Sequence, residues 1–150
     1  MARILVLEDD QTFLMELQFE LEDMGHTVTT CMSAAVAYGA LMQADPPYDL
    51  LISDIYILKN GRPIQDGGMR LLGLLQVLRA SDRSHPVGKM PVLAMSGAVT
   101  LPGQSKLLDM AKKLGATEVL AKPFRLQHLS DLLDQFVPGG ALPGLQRKAG

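Results

Sequence analysis

The feature that most constrains the fold is a strict alternation of short apolar runs with amphipathic helical patterns. Runs of strand length occur at residues 3–9, 26–31, 49–54, 91–96 and 118–122. Several are almost continuously apolar, which is typical of parallel strands that are buried on both faces. Because a helical pattern follows each run, the alternation predicts an α/β domain in which helices cover both faces of a five-stranded parallel sheet.

The helical patterns carry recognisable ends. They cover residues 12–25, 33–44, 68–81, 104–116 and 126–136. In the first pattern apolar residues recur at spacings of three and four, and Gly25 stands where a helix C-terminus favours a left-handed residue. Ser33 is a candidate N-cap for the second pattern, since its side chain can accept a hydrogen bond from the first turn.

Length and composition limit the classes of protein that remain. The chain has 150 residues, which suits one domain over residues 1–137, and the Pro- and Gly-containing segment 138–150 is expected to be a flexible tail or linker stump. A net charge of −2 argues against direct nucleic-acid binding, and no apolar stretch reaches the roughly 18 residues that cross a bilayer. The single Cys31 excludes an internal disulfide. We therefore expect a cytoplasmic protein with no membrane insertion.

Polar residues follow four of the five predicted strands, at the point where each strand ends. Glu8 and Asp9 end the first, Asp54 the third, Ser96 the fourth and Lys122 the fifth. In open α/β sheets, ligands bind beyond the carboxyl ends of the strands. Three carboxylates placed together there repel one another, and a hard divalent cation with oxygen ligands relieves that repulsion. Magnesium is the cation that fits best.

Four motifs at these strand ends carry a family resemblance. They are "ILVLEDD", "LLISD", "VLAMSG" and "LAKPF", and they occur in this order within residues 3–136. Together they resemble the response-regulator receiver domain of two-component signalling. The resemblance implies a doubly wound, flavodoxin-like fold with the strand order 2-1-3-4-5 and five flanking helices.

The resemblance also implies roles for the residues at the rim. Asp54 would accept a phosphoryl group from a phosphohistidine on a histidine kinase or phosphotransfer protein. Glu8 and Asp9 would hold Mg2+, with Asp9 the more direct ligand, while Lys122 and Ser96 would neutralise phosphoryl oxygens. Such a protein assists its own phosphorylation and dephosphorylation but is not otherwise an enzyme. Its output would be contact with a downstream protein.

The sequence departs from the receiver pattern in three places. Gly68 follows Asp54 by fourteen residues, whereas the family pattern has about eight, so the segment 55–67 is about six residues longer. The segment either alters access and partner choice or is a tolerated surface insertion. Tyr56 would supply the backbone carbonyl for the metal, and its side chain would slow the entry of attacking water. Val119 replaces an aromatic residue that many receivers use in switching.

Three alternatives stay open beside a single-domain receiver. The chain could be the receiver fragment of a longer regulator, or a pseudo-receiver that keeps the fold as a binding module without being phosphorylated. A phosphohydrolase with an aspartate nucleophile fits least, since it needs an Asp-x-Asp motif after the first strand. Association into a homodimer through the fourth helix, fifth strand and fifth helix is a family expectation. Cognate kinase, output target and oligomeric state are not determined by the sequence.

Overall fold

A computed structural model of the chain describes residues 1–55, 58–59, 62–63, 67–96, 104–122 and 124–136. The strands of its main sheet are β1 Arg3–Leu7, β2 Thr27–Cys31, β3 Leu50–Asp54, β4 Val92–Ser96 and β5 Glu118–Ala121. All pairs are parallel and the order is β2-β1-β3-β4-β5. The predicted fold class and strand order are confirmed.

The five helices lie where the periodicity predicts them. They are α1 Gln11–Asp23, α2 Ala34–Gln43, α3 Gly68–Ser81, α4 Gln104–Lys113 and α5 Leu126–Phe136. The Ser33 hydroxyl accepts a hydrogen bond from the Val36 N–H at 3.3 Å, as expected of an N-cap. Gly25, just after α1, has a φ of +98°, a conformation that side chains disfavour. A short 3-10 helix, Pro86–Lys89, precedes β4.

The sheet has an apolar core on each face. Alternation along β1 sends Leu5 and Leu7 to one face, where they pack with buried residues of α2 and α3. Ile4 and Val6 point to the other face and pack with buried residues of α1 and α5. Because both faces are covered, the polar groups at the strand ends are the part of the sheet that remains available to a ligand.

The long segment after β3 contains an element that the sequence analysis did not predict. Leu58–Lys59 pairs antiparallel with Arg62–Pro63, forming a two-stranded ribbon separate from the main sheet. In the sequence, Asn60 and Gly61 separate the two pairs, and Asn-Gly is a dipeptide typical of two-residue hairpin turns. This signal was available in the sequence, but the neighbouring runs are too short to show strand periodicity.

Two further expectations concern the C-terminal segment and the absence of a membrane span. Residues 138–150, predicted to be a tail, lie outside the described residues. Among the residues that are described, no helix is both long enough and apolar enough to span a bilayer.

Candidate functional site

The first part of the site follows β1, where the chain passes from the sheet into α1. Glu8 is fully buried, and its backbone N–H donates to the carbonyl of Cys31 at 3.1 Å, which extends the pairing of β1 with β2. One Glu8 carboxylate oxygen forms an ion pair with the ammonium of Lys122. The other accepts the backbone N–H of Asp10 at 3.0 Å. Both oxygens of Glu8 are therefore engaged by donors of the chain itself.

Asp10 takes part in the local structure of this segment and not in the acidic cluster. Its side chain accepts a hydrogen bond from the Phe13 N–H at 3.2 Å and so caps α1. A carboxylate at this position also interacts favourably with the positive end of the helix dipole. The run of three acids thus divides into one helix cap and two residues that face the sheet edge.

The second part of the site is the end of β3. Asp54 is 7% exposed, and its Oδ2 lies 3.5 Å from the Nζ of Lys122. Glu8, Asp9 and Asp54 each offer a carboxylate oxygen within 4.8 Å of the others. The three acids come from two neighbouring strands, so the parallel pairing of β1 with β3 brings them together.

The pKa values of two of these acids, Asp54 and Asp9, are raised. Burial, the largest effect, raises the pKa of Asp54 to about 7; the Lys122 charge acts in the opposite direction, and Glu8 and Asp9 add to the rise. Burial is also the first cause of the raised pKa of Asp9, followed by its hydrogen bond with Glu8 and the charge of Glu8. A single ammonium does not balance three carboxylates, so the site favours an additional positive charge.

The chemistry of the donors fits a hard divalent cation such as Mg2+. Carboxylate oxygens are the ligands that this cation prefers, and the carboxylates are already close enough to share one ion. Because both Glu8 oxygens accept from Lys122 and Asp10, Asp9 and Asp54 are the residues whose oxygens are better placed to coordinate. Tyr56, whose carbonyl was predicted as a further ligand, lies outside the described residues.

One aromatic ring lies over the Lys122 ammonium, and sequence reasoning missed its role. Lys122 Nζ lies 4.4 Å from the centroid of the Phe13 ring, within the range of a cation–π contact. The Phe13 ring packs against Phe124 in a T-shaped arrangement, with the ring centroids 5.9 Å apart and an interplanar angle of 90°. The periodicity assigned Phe13 only to the core-facing stripe of the first helix. The sequence did contain a signal for a role in the site, because Phe13 lies in the first turn of α1, three residues after the acidic run.

The end of β4 completes the rim. Ser96 is 5% exposed and lies in the strand next to β3, one residue beyond the partner of Asp54. The Lys122 backbone N–H donates to the Ser96 carbonyl at 2.7 Å, so the ends of β4 and β5 are joined at this edge. Val119, the residue at the position of the switching aromatic, is half-buried and packs against the core. The structure thus brings Glu8, Asp9, Asp54, Ser96 and Lys122 to one edge of the sheet.

Comparison with known proteins identifies the family. The chain matches the model of the response regulator receiver domain over residues 4–134. It is 30% identical over 131 residues to a two-component response regulator-like protein of Arabidopsis thaliana, APRR1, covering 87% of this chain and 19% of the relative. It is 29% identical over 129 residues to the virulence transcriptional regulatory protein PhoP of Salmonella typhimurium, covering 86% of this chain and 49% of the relative.

Solved structures agree with this assignment. A response regulator receiver domain from Clostridium thermocellum superposes with a TM-score of 0.71 at 26% identity, covering 91% of this chain and 94% of that one. The receiver domain of a sensor histidine kinase from Pseudomonas aeruginosa, solved with magnesium in its active-site cleft, shares the fold at 20% identity and a TM-score of 0.68, covering 90% and 96%. The chain spans about a fifth of the plant relative and about half of PhoP. The chain belongs to the response regulator receiver domain family of two-component signalling.

Proposed function

We propose that this domain accepts a phosphoryl group on Asp54 from a phosphohistidine of a histidine kinase or phosphotransfer protein, with the help of Mg2+. The observation that carries the proposal is the cluster of three carboxylates around one ammonium at the carboxyl edge of the sheet. Such an arrangement is unfavourable in the absence of a ligand, because buried like charges repel. It is suited to a reaction in which a cation and a phosphoryl group enter together.

The nucleophile in this proposal is a carboxylate oxygen of Asp54. It attacks phosphorus as the bond from the donor imidazole nitrogen breaks, and the imidazole leaves with the electron pair of that bond. The acceptor must be ionised, and a pKa near 7 leaves part of the Asp54 population protonated at neutral pH. Bound Mg2+ supplies positive charge that favours the ionised form and neutralises phosphoryl oxygens. Asp9 and Asp54, with Glu8 beside them, are the residues that would hold it.

Lys122 and Ser96 provide the remaining neutralisation. Phosphoryl transfer spreads charge over three equatorial oxygens, so fixed positive groups and hydrogen-bond donors contribute most of the catalysis. The Lys122 ammonium is already 3.5 Å from Asp54 Oδ2 and is held on its other side by buried Glu8. Ser96 ends the adjacent strand, and in this proposal its hydroxyl would donate a hydrogen bond to a phosphoryl oxygen.

The proposal extends to the setting of the domain. Family membership makes it a signalling module, and we infer that its output is a contact with a downstream protein, without direct nucleic-acid binding. Its phosphodonor would place it in the cytoplasm. Because the curated relatives are longer than this chain, a linker role for residues 138–150 fits a receiver that is joined to further segments. A homodimer remains one proposed assembly.

Intact mass spectrometry after incubation with acetyl phosphate and Mg2+ tests the proposal. We expect one labile phosphoryl adduct on the wild type, lost in Asp54→Asn and in the absence of the metal. The matched control is Asp49→Asn, at the opposite end of the same strand, where the carboxylate accepts the Arg3 N–H at 2.8 Å. This variant should form the adduct at the wild-type rate.

The pseudo-receiver alternative gives a different result in the same experiment. A folded wild-type protein that forms no adduct at saturating Mg2+ would contradict the proposed reaction. Calorimetric titration with Mg2+ would then show whether the acidic cluster still binds the cation. A protein that neither binds Mg2+ nor forms an adduct would be a binding module with the receiver fold.

A further inference from the structure

The beginning of α3 lies directly against the end of β3. Gly67 and Gly68 are both buried, and the Met69 N–H donates to the carbonyl of Ile55 at 3.0 Å. A Cβ atom placed on Gly68 would lie 1.7 Å from the carbonyl oxygen of Asp54. It would also lie 2.8 Å from the Oγ of Ser53. No side chain fits at this position unless the backbone of Asp54 or the start of α3 moves.

The backbone at the end of β3 also makes hydrogen bonds on the side away from α3. The Ile55 N–H donates to the carbonyl of Met95 in β4 at 2.8 Å, and the Ile55 side chain is 1% exposed. The Ser53 hydroxyl donates to the Asp54 carbonyl at 3.0 Å. The backbone that carries the proposed phosphoacceptor is therefore fixed between a strand and a helix terminus. Little freedom is left to absorb a displacement from the α3 side.

The long segment between β3 and α3 has its two ends close together. It runs from Ile55 to Gly67, and a hydrogen bond from the Met69 N–H to the Ile55 carbonyl connects the end of β3 with the start of α3. Two pairs of residues within it, Leu58–Lys59 and Arg62–Pro63, form the antiparallel ribbon. In the sequence these pairs and the two residues between them make six residues, the number by which the segment exceeds the receiver spacing.

We propose that Gly68 is a positioning residue for Asp54, and that the phosphoryl-transfer chemistry does not need the six residues 58–63. This inference rests on the proposed function, because it concerns the placement of the proposed acceptor. Asp54 carries its carboxylate on the same backbone that Gly68 contacts. A misplacement of about 1 Å in a reacting group can cost on the order of 100-fold in rate.

Two glycine variants in one helix test the role of Gly68. The test variant is Gly68→Ala, and the matched control is Gly73→Ala, because an added Cβ at Gly73 meets nothing within 4 Å. We expect Gly68→Ala to lower the rate of adduct formation with acetyl phosphate at saturating Mg2+ at least about tenfold. Gly73→Ala should stay within about twofold of the wild type, since alanine favours a helix. Equal rates in two folded variants would overturn the inference.

Deletion of residues 58–63 tests the ribbon and applies even if Gly68→Ala does not fold. The deletion brings Gly68 to the shorter receiver spacing after Asp54 and leaves Ile55, Gly67 and Gly68 in place. We expect a folded protein whose rate of adduct formation lies within about threefold of the wild type. A folded deletion variant with a rate more than about tenfold lower would show that the ribbon takes part in the chemistry and would overturn the inference.

Whether the wild type forms the adduct distinguishes a failure of the proposed function from a failure of the proposed role of Gly68. A wild type that forms no adduct counts against the proposed function alone. Crystal structures of Gly68→Ala and Gly73→Ala then decide the positioning inference. We expect the Asp54 carbonyl to have moved out of contact with the new methyl group in Gly68→Ala and to be unmoved in Gly73→Ala. An unmoved carbonyl in both variants would overturn the inference.

Discussion

Buried charged side chains have different neighbours at the two edges of the sheet, the one at the carboxyl ends of the strands and the one at their amino ends. At the carboxyl edge three acids lie together, and the pKa values of Asp9 and Asp54 are raised, chiefly by burial. At the amino edge the Arg79 guanidinium donates to the carbonyls of Met90 at 3.0 Å and Gly115 at 3.5 Å. Burial lowers the pKa of Arg79, and its contacts are with neutral backbone dipoles.

The contrast indicates that the acidic cluster at the carboxyl edge serves function, whereas Arg79 at the amino edge serves the structure. Arg79 joins α3 to the segments that enter β4 and β5, and two nitrogens of its guanidinium give backbone carbonyls a hydrogen-bond partner. The acids at the carboxyl edge gain little from lying together, because neighbouring carboxylates add to the raised pKa values of Asp9 and Asp54. Perturbed groups that gather in this way are typical of functional sites. Variants at the two edges should therefore affect different properties.

The largest contrast is expected in the phosphorylation rate. Lys122→Met should lower the rate of adduct formation on the order of 100-fold, as for the loss of one charge-stabilising donor at an active site. Arg79→Met should leave the rate per folded molecule unchanged. Intact mass spectrometry over time with acetyl phosphate and Mg2+ measures both. A Lys122→Met rate within threefold of the wild type would show that the ammonium serves only to pair with Glu8.

A second contrast concerns stability as a function of pH. Because the pKa of Asp54 is raised to about 7 in the folded state, that state binds more protons than the unfolded state between about pH 4 and 7, and stability falls as the pH rises through this window. In the absence of metal, Asp54→Asn should therefore stabilise the protein by up to about 4 kcal/mol at pH 8, from roughly three pKa units at about 1.4 kcal/mol each, and have almost no effect near pH 4.

Urea unfolding at several pH values, with and without Mg2+, measures this effect. The metal should reduce the difference between Asp54→Asn and the wild type, because a cation stabilises the ionised carboxylate. The control is Asp49→Asn, which removes an acid just before the same strand and outside the acidic cluster, so the comparison isolates the effect of the cluster. If Asp54→Asn were destabilising at pH 8, the acidic cluster would not be a strained arrangement.

At the amino edge the expected effect is on stability alone. Arg79→Met keeps most of the apolar stem but leaves the carbonyls of Met90 and Gly115 without their donor. The free energy of unfolding should fall by about 1–2 kcal/mol. Chemical unfolding measures it, with the exposed Arg83→Met as the control, expected within about 0.5 kcal/mol of the wild type. An equal loss in both variants would mean that the buried contacts of Arg79 contribute nothing specific.

The smallest expected effect tests the aromatic surroundings of Lys122. Phe13→Leu keeps an apolar side chain but removes the ring face 4.4 Å from the ammonium. The rate of adduct formation should fall about fivefold, in keeping with a partly desolvated cation–π contact of about 1 kcal/mol. Phe13→Tyr keeps the ring and should retain the wild-type rate. A loss of stability in Phe13→Leu without a change in rate would assign Phe13 to the core alone.

Local patterns in the sequence were enough to predict the architecture and the edge at which the site lies. The apolar runs and helical spacings follow from the local requirement that each strand and helix bury one kind of surface, so they are readable without the fold. Gly25 and Ser33 were predictable for the same reason, since a helix end depends on its own few residues. Parallel strands send their carboxyl ends to one edge, which is why Asp54 and Lys122 could be placed together.

Which of these groups contact one another became visible only in the folded structure. The pairing of Glu8 with Lys122, the ring of Phe13 over that ammonium and the contact of Gly68 with the Asp54 carbonyl each join segments that are distant in the sequence. Such contacts depend on distances of a few ångströms between packed elements, and no periodicity records them. The sequence determined which groups meet at the edge, and close packing determined which of them hold one another in place.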